Sequence, residues 1–393
     1  MIFIFIFTGI RCYWFFMSEG EFQAEVSVDD DYFKEKTGLS LREQYLTYHP
    51  QVLTGFEDDM EWVWGRKWKA NTNVGKLRVV MLHRPGKEFL SVGKPTPWPS
   101  HGTSLPEWRM SEMMSLDELQ SHHQNLVDAY KAEGVEVVIR KPEVNDPPYQ
   151  VKAIYTDDVC HPAVYGQVIL RMYDHMRRGE ELPTYQTLAE LGCPVVGMIQ
   201  GRGMAEGGSI GWLDEKHLVV AVHFPRVNTR EPELMRANES GHIQFANIVK
   251  LQDPEVDVRI CPGYGSSLGV SHYSLIDRHT SIQDPRTVDP YLREWMEAEM
   301  HWEFIDPPDG VCVKVHTGNP LMPVVKRAPN TGVVLEPRKI LVPTGNPKAT
   351  KWLEGMGVEV VEVEVGTLVR PRNSGSIKCT CGGILRDPEP KSY

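Results

Sequence analysis

From Lys76 onward the chain is a succession of short, valine-rich apolar runs bounded by Gly, Pro and Asp: LRVVMLHRPG, GVEVVIR, GQVILRM, HLVVAVHFP, VDVRICPG, VCVKVHTG, GVVLEPRKILVPTG and GVEVVEVEVG. Runs of this length and content predict β-strands. Helices are predicted between them. Ser115-Leu116-Asp117-Glu118 has capping-box spacing, with the Ser hydroxyl taking the amide three residues on and the Glu carboxylate reaching back. Leu116, Leu119, Leu126 and Tyr130 follow near helical spacing, and Gly134 can supply a left-handed C-terminal cap. A second short helix is expected over 347–354, closed by Gly355 and Gly357. Strand, strand, helix, strand recurs with no strict sequence period and no Gly-x-Gly-x-x-Gly turn, which argues against a solenoid and against a dinucleotide-binding domain.

No internal stretch reads as a linker, so residues 76–393 are expected to form one α/β domain. Residues 18–75 form a polar and aromatic lead-in, with a Trp-rich patch at 61–68 and little periodicity. Residues 1–17 are almost wholly apolar but interrupted by Arg11. They read as untranslated sequence before a start at Met17, as a marginal membrane anchor, or as a signal peptide lacking a basic region and a cleavage site.

With 393 residues, 24% charged and 41% hydrophobic, the chain is neither disordered nor collagen-like. Its 42 Lys and Arg against 53 Asp and Glu leave a formal charge of -11, which lacks the basic footprint of a nucleic-acid binder. Seven scattered cysteines do not form a disulfide framework and point to a reducing, cytoplasmic location.

Four clusters can carry chemistry. Cys379, in NSGSIKCTCGG, follows a small-residue turn that lets backbone approach a ligand, and Lys378 beside it would favour a thiolate. The same residues also read as ordinary terminal-strand cysteines, or as a Cys-x-Cys clip with Cys381 that lacks a second ligand pair. Glu206-Gly207-Gly208-Ser209 puts a carboxylate on a glycine turn at a strand entrance, where a solvated Glu is the commoner outcome. Asp157 and Asp158 follow an apolar stretch and read equally as a turn cap. In HYSLIDRHTSIQD, Leu275, Asp277 and His279 share one face if the segment is a strand. Acids, a thiol and a histidine together suit a planar cation: a guanidinium matches carboxylates with its fork of donors, and its carbon can be attacked by a thiolate.

In this order the motifs resemble the guanidino-group-modifying superfamily of arginine deiminases, dimethylarginine dimethylaminohydrolases and amidinotransferases. GKLRVVMLHRPGKEF is similar to its first strand and turn, AIYTDD to its Thr-Arg-Asp segment and AEGGS to its Glu-Gly-Gly-Asp segment. HFPRVN, with Arg226, resembles its Arg-Thr-Asn stretch, and SGSIKCTC its His-Cys-Thr nucleophile segment; together the matches run from about 75 to 388. The resemblance implies a pentein fold, an α/β-propeller of five ββαβ-type units around a central channel. It implies Cys379 as nucleophile, Asp158 as a guanidinium-binding acid and Glu206 as the acid that partners the catalytic histidine or the substrate. Water would resolve the covalent intermediate in a hydrolase, an amine in an amidinotransferase.

The chain also departs from the family. Asp277 aligns with the acid of the family's His-x-Asp segment, but Leu275 falls where the histidine belongs, leaving His279 or His272 to replace it. Ser209 replaces an aspartate, Asp157 an arginine and Lys378 a histidine, so substrate recognition by Asp157, Asp158, Ser209 and Arg226 should be distinctive. The expected partner is a small guanidino molecule, with no cofactor, no metal and no nucleic acid; a homo-oligomer is compatible. A pentein that binds a guanidino ligand without turning it over is the competing expectation.

Overall fold

The computed structural model describes residues 55–95, 110–146, 148–223, 236–263, 274–283, 288–311 and 332–390, with shorter pieces at 7–8, 11–12, 30–40, 313–319 and 322–327 and single positions between them. After helix α1 (Phe56–Trp64), strand β1 (Leu77–Leu82) runs parallel to β2 (Glu136–Ile139), joined through α2 (Leu116–Ala132). Next, β3 (Cys160–Pro162) pairs antiparallel with β4 (Gln167–Ile169), which crosses through α3 (Glu181–Leu191) to the parallel β5 (Val195–Met198). The same sequence recurs in β6 (Ile210–Asp214), β7 (His217–His223), α4 (Glu239–Gln252) and β8 (Asp257–Gly263). It recurs again in β9 (Ser274–Leu275), β10 (Thr280–Ile282), α5 (Pro290–Ala298) and β11 (Glu303–Ile305). The last full repeat is β12 (Val333–Glu336), β13 (Lys339–Pro343), α6 (Pro347–Gly355) and β14 (Glu359–Val363).

β1 and β2 lack a preceding antiparallel partner of their own. The strand that follows Cys379, β15 (Gly382–Arg386), supplies it by pairing antiparallel with β1. The result is five three-stranded sheets of one topology, beside a hairpin formed by Val313–Asn319 and Met322–Arg327.

α2 shows how the sequence selects these elements. Ser115 accepts from the Glu118 amide at 3.1 Å, and Leu119, His123, Leu126, Val127 and Tyr130 form the buried stripe. The second half of the expected capping box is absent: the Glu118 carboxylate instead receives both arms of Arg372, at 2.5 and 3.1 Å. A charged fork is a stronger partner for a carboxylate than a neutral amide. The lead-in is less irregular than its sequence suggests, since 56–64 is helical and Met60, Trp68 and Val74 are buried in apolar clusters.

His123 is buried with neither ring nitrogen bonded among the described residues. Burial, helped by His83 and Arg84, pulls its imidazole down to about 4. A histidine depressed below its unfolded value of about 6.5 contributes stability that is present above pH 6.5 and lost as pH falls toward 4. His123→Leu should therefore raise the urea midpoint at pH 5 relative to wild type by more than it does at pH 7.5; an equal shift at both values would refute this account.

Among the described residues no helix is long and apolar enough to cross a membrane.

Candidate active site

Three short 3-10 turns stand at the entrances of three strands: Thr156–Asp158 before β3, Gly207–Ser209 before β6 and Lys378–Thr380 before β15. Thr156 joins the first to the third. Its Oγ1 lies 2.9 Å from the Thr380 carbonyl and accepts from the Gly382 amide at 3.0 Å. The second turn sits directly on the first, because Gly208 donates its amide to Asp158 Oδ1 at 3.1 Å.

The two glycines make this contact possible. A Cβ at Gly207 would lie 1.8 Å from the Asp157 carbonyl oxygen, and one at Gly208 would lie 1.7 Å from Arg236 Nη1. The first obstacle is backbone and cannot rotate away, so Gly207→Ala should lower stability by about 1–3 kcal/mol. Gly208→Ala, facing the end of a side chain, should cost less; paired urea denaturation curves check the order.

Asp158 is buried and saturated. It accepts from Arg177 Nη1 at 2.6 Å and from Arg236 Nη2 at 3.1 Å as well as from Gly208. Burial opposes its charge, but Arg236 and Arg177 together hold the carboxyl below its ordinary range. Glu206 accepts from the Tyr173 amide and from Arg236 Nε, each at 3.1 Å. Burial raises its carboxyl despite Arg236, and the Asp158 charge adds to the rise. Arg177 is itself gripped by Glu180, whose two oxygens each lie 2.9 Å from it.

Cys379 is half-buried, with the Ser376 amide 3.5 Å and the Ser376 hydroxyl 3.4 Å from its Sγ. The loop before it is fixed by Tyr155, whose hydroxyl donates to the Leu368 carbonyl at 3.1 Å and accepts from the Gly375 amide at 2.7 Å. Arg236 and Lys378 both lie within electrostatic reach of Cys379. Burial pushes the thiol of Cys381 up to about 11, which makes it the inert member of the Cys-x-Cys pair.

Below the turns lies a cavity of about 40 Å³. Its wall takes at least one residue from the leading strand of every sheet: His161 in β3, Trp212 in β6, Leu275 in β9, Val334 in β12 and Gly383 in β15. Asp157 and Lys378 line it too. Burial pushes the Asp157 carboxyl up to about 7, against the pull of Lys378, and lowers the Lys378 ammonium.

Several sequence expectations need correction here. Residues 276–279 form the turn between β9 and β10, so Leu275, Asp277 and His279 do not share a strand face. His279 is exposed, and the carboxylate of Asp277 accepts from the His279 amide at 3.2 Å and pairs with Arg338 at 2.9 Å. A two-residue strand ends too early to carry them toward the cavity. Ser209 is buried with its hydroxyl donating to the Glu206 carbonyl at 2.7 Å, which closes the turn and leaves that hydrogen facing inward. His272 and Arg226 lie outside the described residues.

Arg177, Arg236 and His161 were missed by the sequence reading. Arg236-Ala237-Asn238 repeats the Arg-x-Asn spacing of Arg226-Val227-Asn228, and Asn238 caps α4 by accepting from Gly241 at 2.9 Å. That pairing of an arginine with a helix cap was the available signal. Nothing in the local sequence marks His161. Among the described residues no three His, Cys, Asp or Glu side chains gather as a metal-ligand set.

No protein-family model and no curated protein matches the sequence. Solved structures do match the fold. The dimethylarginine dimethylaminohydrolase of Pseudomonas aeruginosa, solved with citrulline, aligns with a TM-score of 0.54 at 14% identity, over 79% of this chain and all of that one. The inosamine-phosphate amidinotransferase StrB1 of Streptomyces griseus aligns with a TM-score of 0.56 at 14% identity, over 83% of this chain and 99% of that one. The chain has the pentein fold. A third pentein, the amidinotransferase SxtG of Microseira wollei from saxitoxin biosynthesis, aligns with a TM-score of 0.54 at 13% identity, over 84% of this chain and all of that one.

Proposed function

We propose that this pentein is a cysteine-dependent enzyme that cleaves a C–N bond of a guanidino group in an arginine-like small molecule, with Cys379 forming the covalent intermediate and water resolving it. The observation that carries the reading is the setting of Cys379: half-buried, faced by the Ser376 amide and hydroxyl, and bordered by Arg236, which bonds Asp158 and Glu206. Donors and cations around a sulfur are what an attacking thiolate requires. The five like sheets, each giving its leading strand to one cavity, support a five-unit propeller with the site at the mouth of its channel. A reducing, cytoplasmic location fits a working thiol.

Transfer of the amidino group to an amine is the second reading, favoured by likeness to two structures whose names are amidinotransferases. Binding without turnover is the third. It is favoured by Leu275 in the cavity wall and by the engagement of Asp158 and Glu206 with the chain's own arginines.

Incubation with arginine, methylarginines, agmatine and guanidinoacetate, followed by mass spectrometry, separates the three. Loss of one compound with release of an amine supports the hydrolase. A new guanidino product that forms only when glycine or ornithine is added replaces it with the transferase. Binding of a compound with no loss of any leaves the binder.

A further inference from the structure

We propose that Asp157 is the proton-transfer group of the Cys379 reaction, doing the work of the histidine that Leu275 replaces. The inference rests on the reading of Cys379 as nucleophile and adds to it the residue that handles the protons.

Three positions of the chain depart from the family it resembles. Asp157 stands in place of an arginine, Lys378 in place of a histidine, and Leu275 in place of the acid–base histidine. Asp157 and Leu275 are 118 residues apart, and Leu275 and Lys378 are 103 apart, yet all three line the same 40 Å³ cavity. Unrelated drift would have no reason to collect them on one wall. Loss of an imidazole from one side of a site can be offset by a carboxyl gained on another side.

Among the acids around the site, Asp157 is the one with free oxygens. Asp158 accepts from Gly208, Arg177 and Arg236, and Glu206 from Tyr173 and Arg236. Among the described residues no hydrogen bond ends on the Asp157 carboxylate, which borders the cavity instead. A carboxylate held by two guanidinium forks is a poor proton shuttle, because protonation must break both. A carboxylate open to a cavity has no such obstacle.

The position relative to Cys379 is set by the backbone. Thr156, next to Asp157, is bonded to the Thr380 carbonyl and the Gly382 amide, and Lys378, next to Cys379, shares the cavity with Asp157. The groups that face Asp157 are Lys378 and Arg386 from the segment bearing Cys379, Arg236 before α4, and Asp158 beside it. Cys160 and His161 on β3 and Cys381 and Tyr130 complete its surroundings. Burial of the carboxyl and the balance of these charges place it at about 7, where a general acid and base at neutral pH is most effective.

The steps balance as follows. The Cys379 thiolate forms a C–S bond to the carbon of the guanidinium, giving a neutral tetrahedral adduct. The Asp157 carboxylic acid gives its proton to one nitrogen, whose C–N bond then breaks, and the amine departs to leave a thiouronium cation. The Asp157 carboxylate next takes a proton from water as the oxygen bonds to that carbon. The C–S bond breaks, the thiolate is restored, and the remaining hydroxyl proton passes through solvent to the released amine.

The test uses the full chain and the compound consumed fastest in the panel above. Asp157→Asn should lower kcat by about 10²–10⁴-fold with KM changed less than about threefold, and should remove the limb of the pH–rate profile near 7. Asp157→Glu should recover part of the rate. Adding Leu275→His to Asp157→Asn should also recover part of it, with a thermal melt checking that each variant folds. If Asp157→Asn keeps the wild-type kcat, or raises KM alone, Asp157 is not the proton carrier, although turnover lost in Cys379→Ala still upholds the thiolate reading. Absence of Cys379-dependent turnover on every compound overturns both.

Discussion

Cys379→Ala should abolish consumption of every guanidino compound that the wild type turns over, a fall of roughly 10⁴–10⁶-fold. The size follows from the role proposed for the sulfur. A nucleophile that makes the covalent bond has no neighbour to replace it, and Cys381, buried with its thiol raised to about 11, is not a substitute. Mass spectrometry of wild-type protein quenched during turnover should show an added amidino group on the peptide carrying Cys379, and the variant should show none. Cys381→Ser offers the contrast: it should retain most activity and lose some stability. Residual turnover in Cys379→Ala within tenfold of wild type would remove the thiolate from the mechanism.

Arg177→Met should destabilise the fold by about 3–5 kcal/mol. Arg177 is buried, bonds Asp158 at 2.6 Å and Glu180 at 2.9 Å twice, and donates to the Tyr155 carbonyl at 2.9 Å. Its removal leaves two buried carboxylates short of their cation, and an uncompensated buried charge is more costly than an absent pair. Glu180 is already pushed up to about 8 by burial, with Arg177 the main force opposing that rise. In the variant it should therefore be protonated at neutral pH. Arg177→Met combined with Glu180→Gln should regain part of the lost stability in urea denaturation at pH 7, because a glutamine is neutral without the proton that a buried Glu180 must take up on folding. Equal stability of the single variant and wild type would show that the cluster contributes position alone.

The recurrent strand, strand, helix, strand order was legible because apolar runs such as 77–82 and 339–343 are long enough to register above the background. Among the strands that escaped notice are the leading β3, β6 and β15. β3 and β9 have three and two residues, and β3 contains a histidine and a proline. Such strands are held by neighbours on both sides rather than by their own composition, so no local pattern announces them. The same cause misplaced His279: a strand taken to run through 275–279 ends at Leu275. Cys379, Asp158 and Glu206 could be found because glycine turns and adjacent acids leave a mark in the sequence. Arg177 and Arg236 could not be tied to them, since a bond between residues 19 or 78 positions apart is a property of the folded chain.

β15 is the last strand of the five sheets to leave a ribosome, and it pairs with the first. The ion pair of Arg78 with Asp387, 309 residues apart, sits at that seam. Closing so long a loop is slow compared with forming the contacts inside each repeat. Until the seam forms, the turn bearing Cys379 lacks its tie to Thr156. Cys379, three residues ahead of that strand, is therefore among the last residues to be synthesised, and its turn finds its place only when the final strand closes the first sheet.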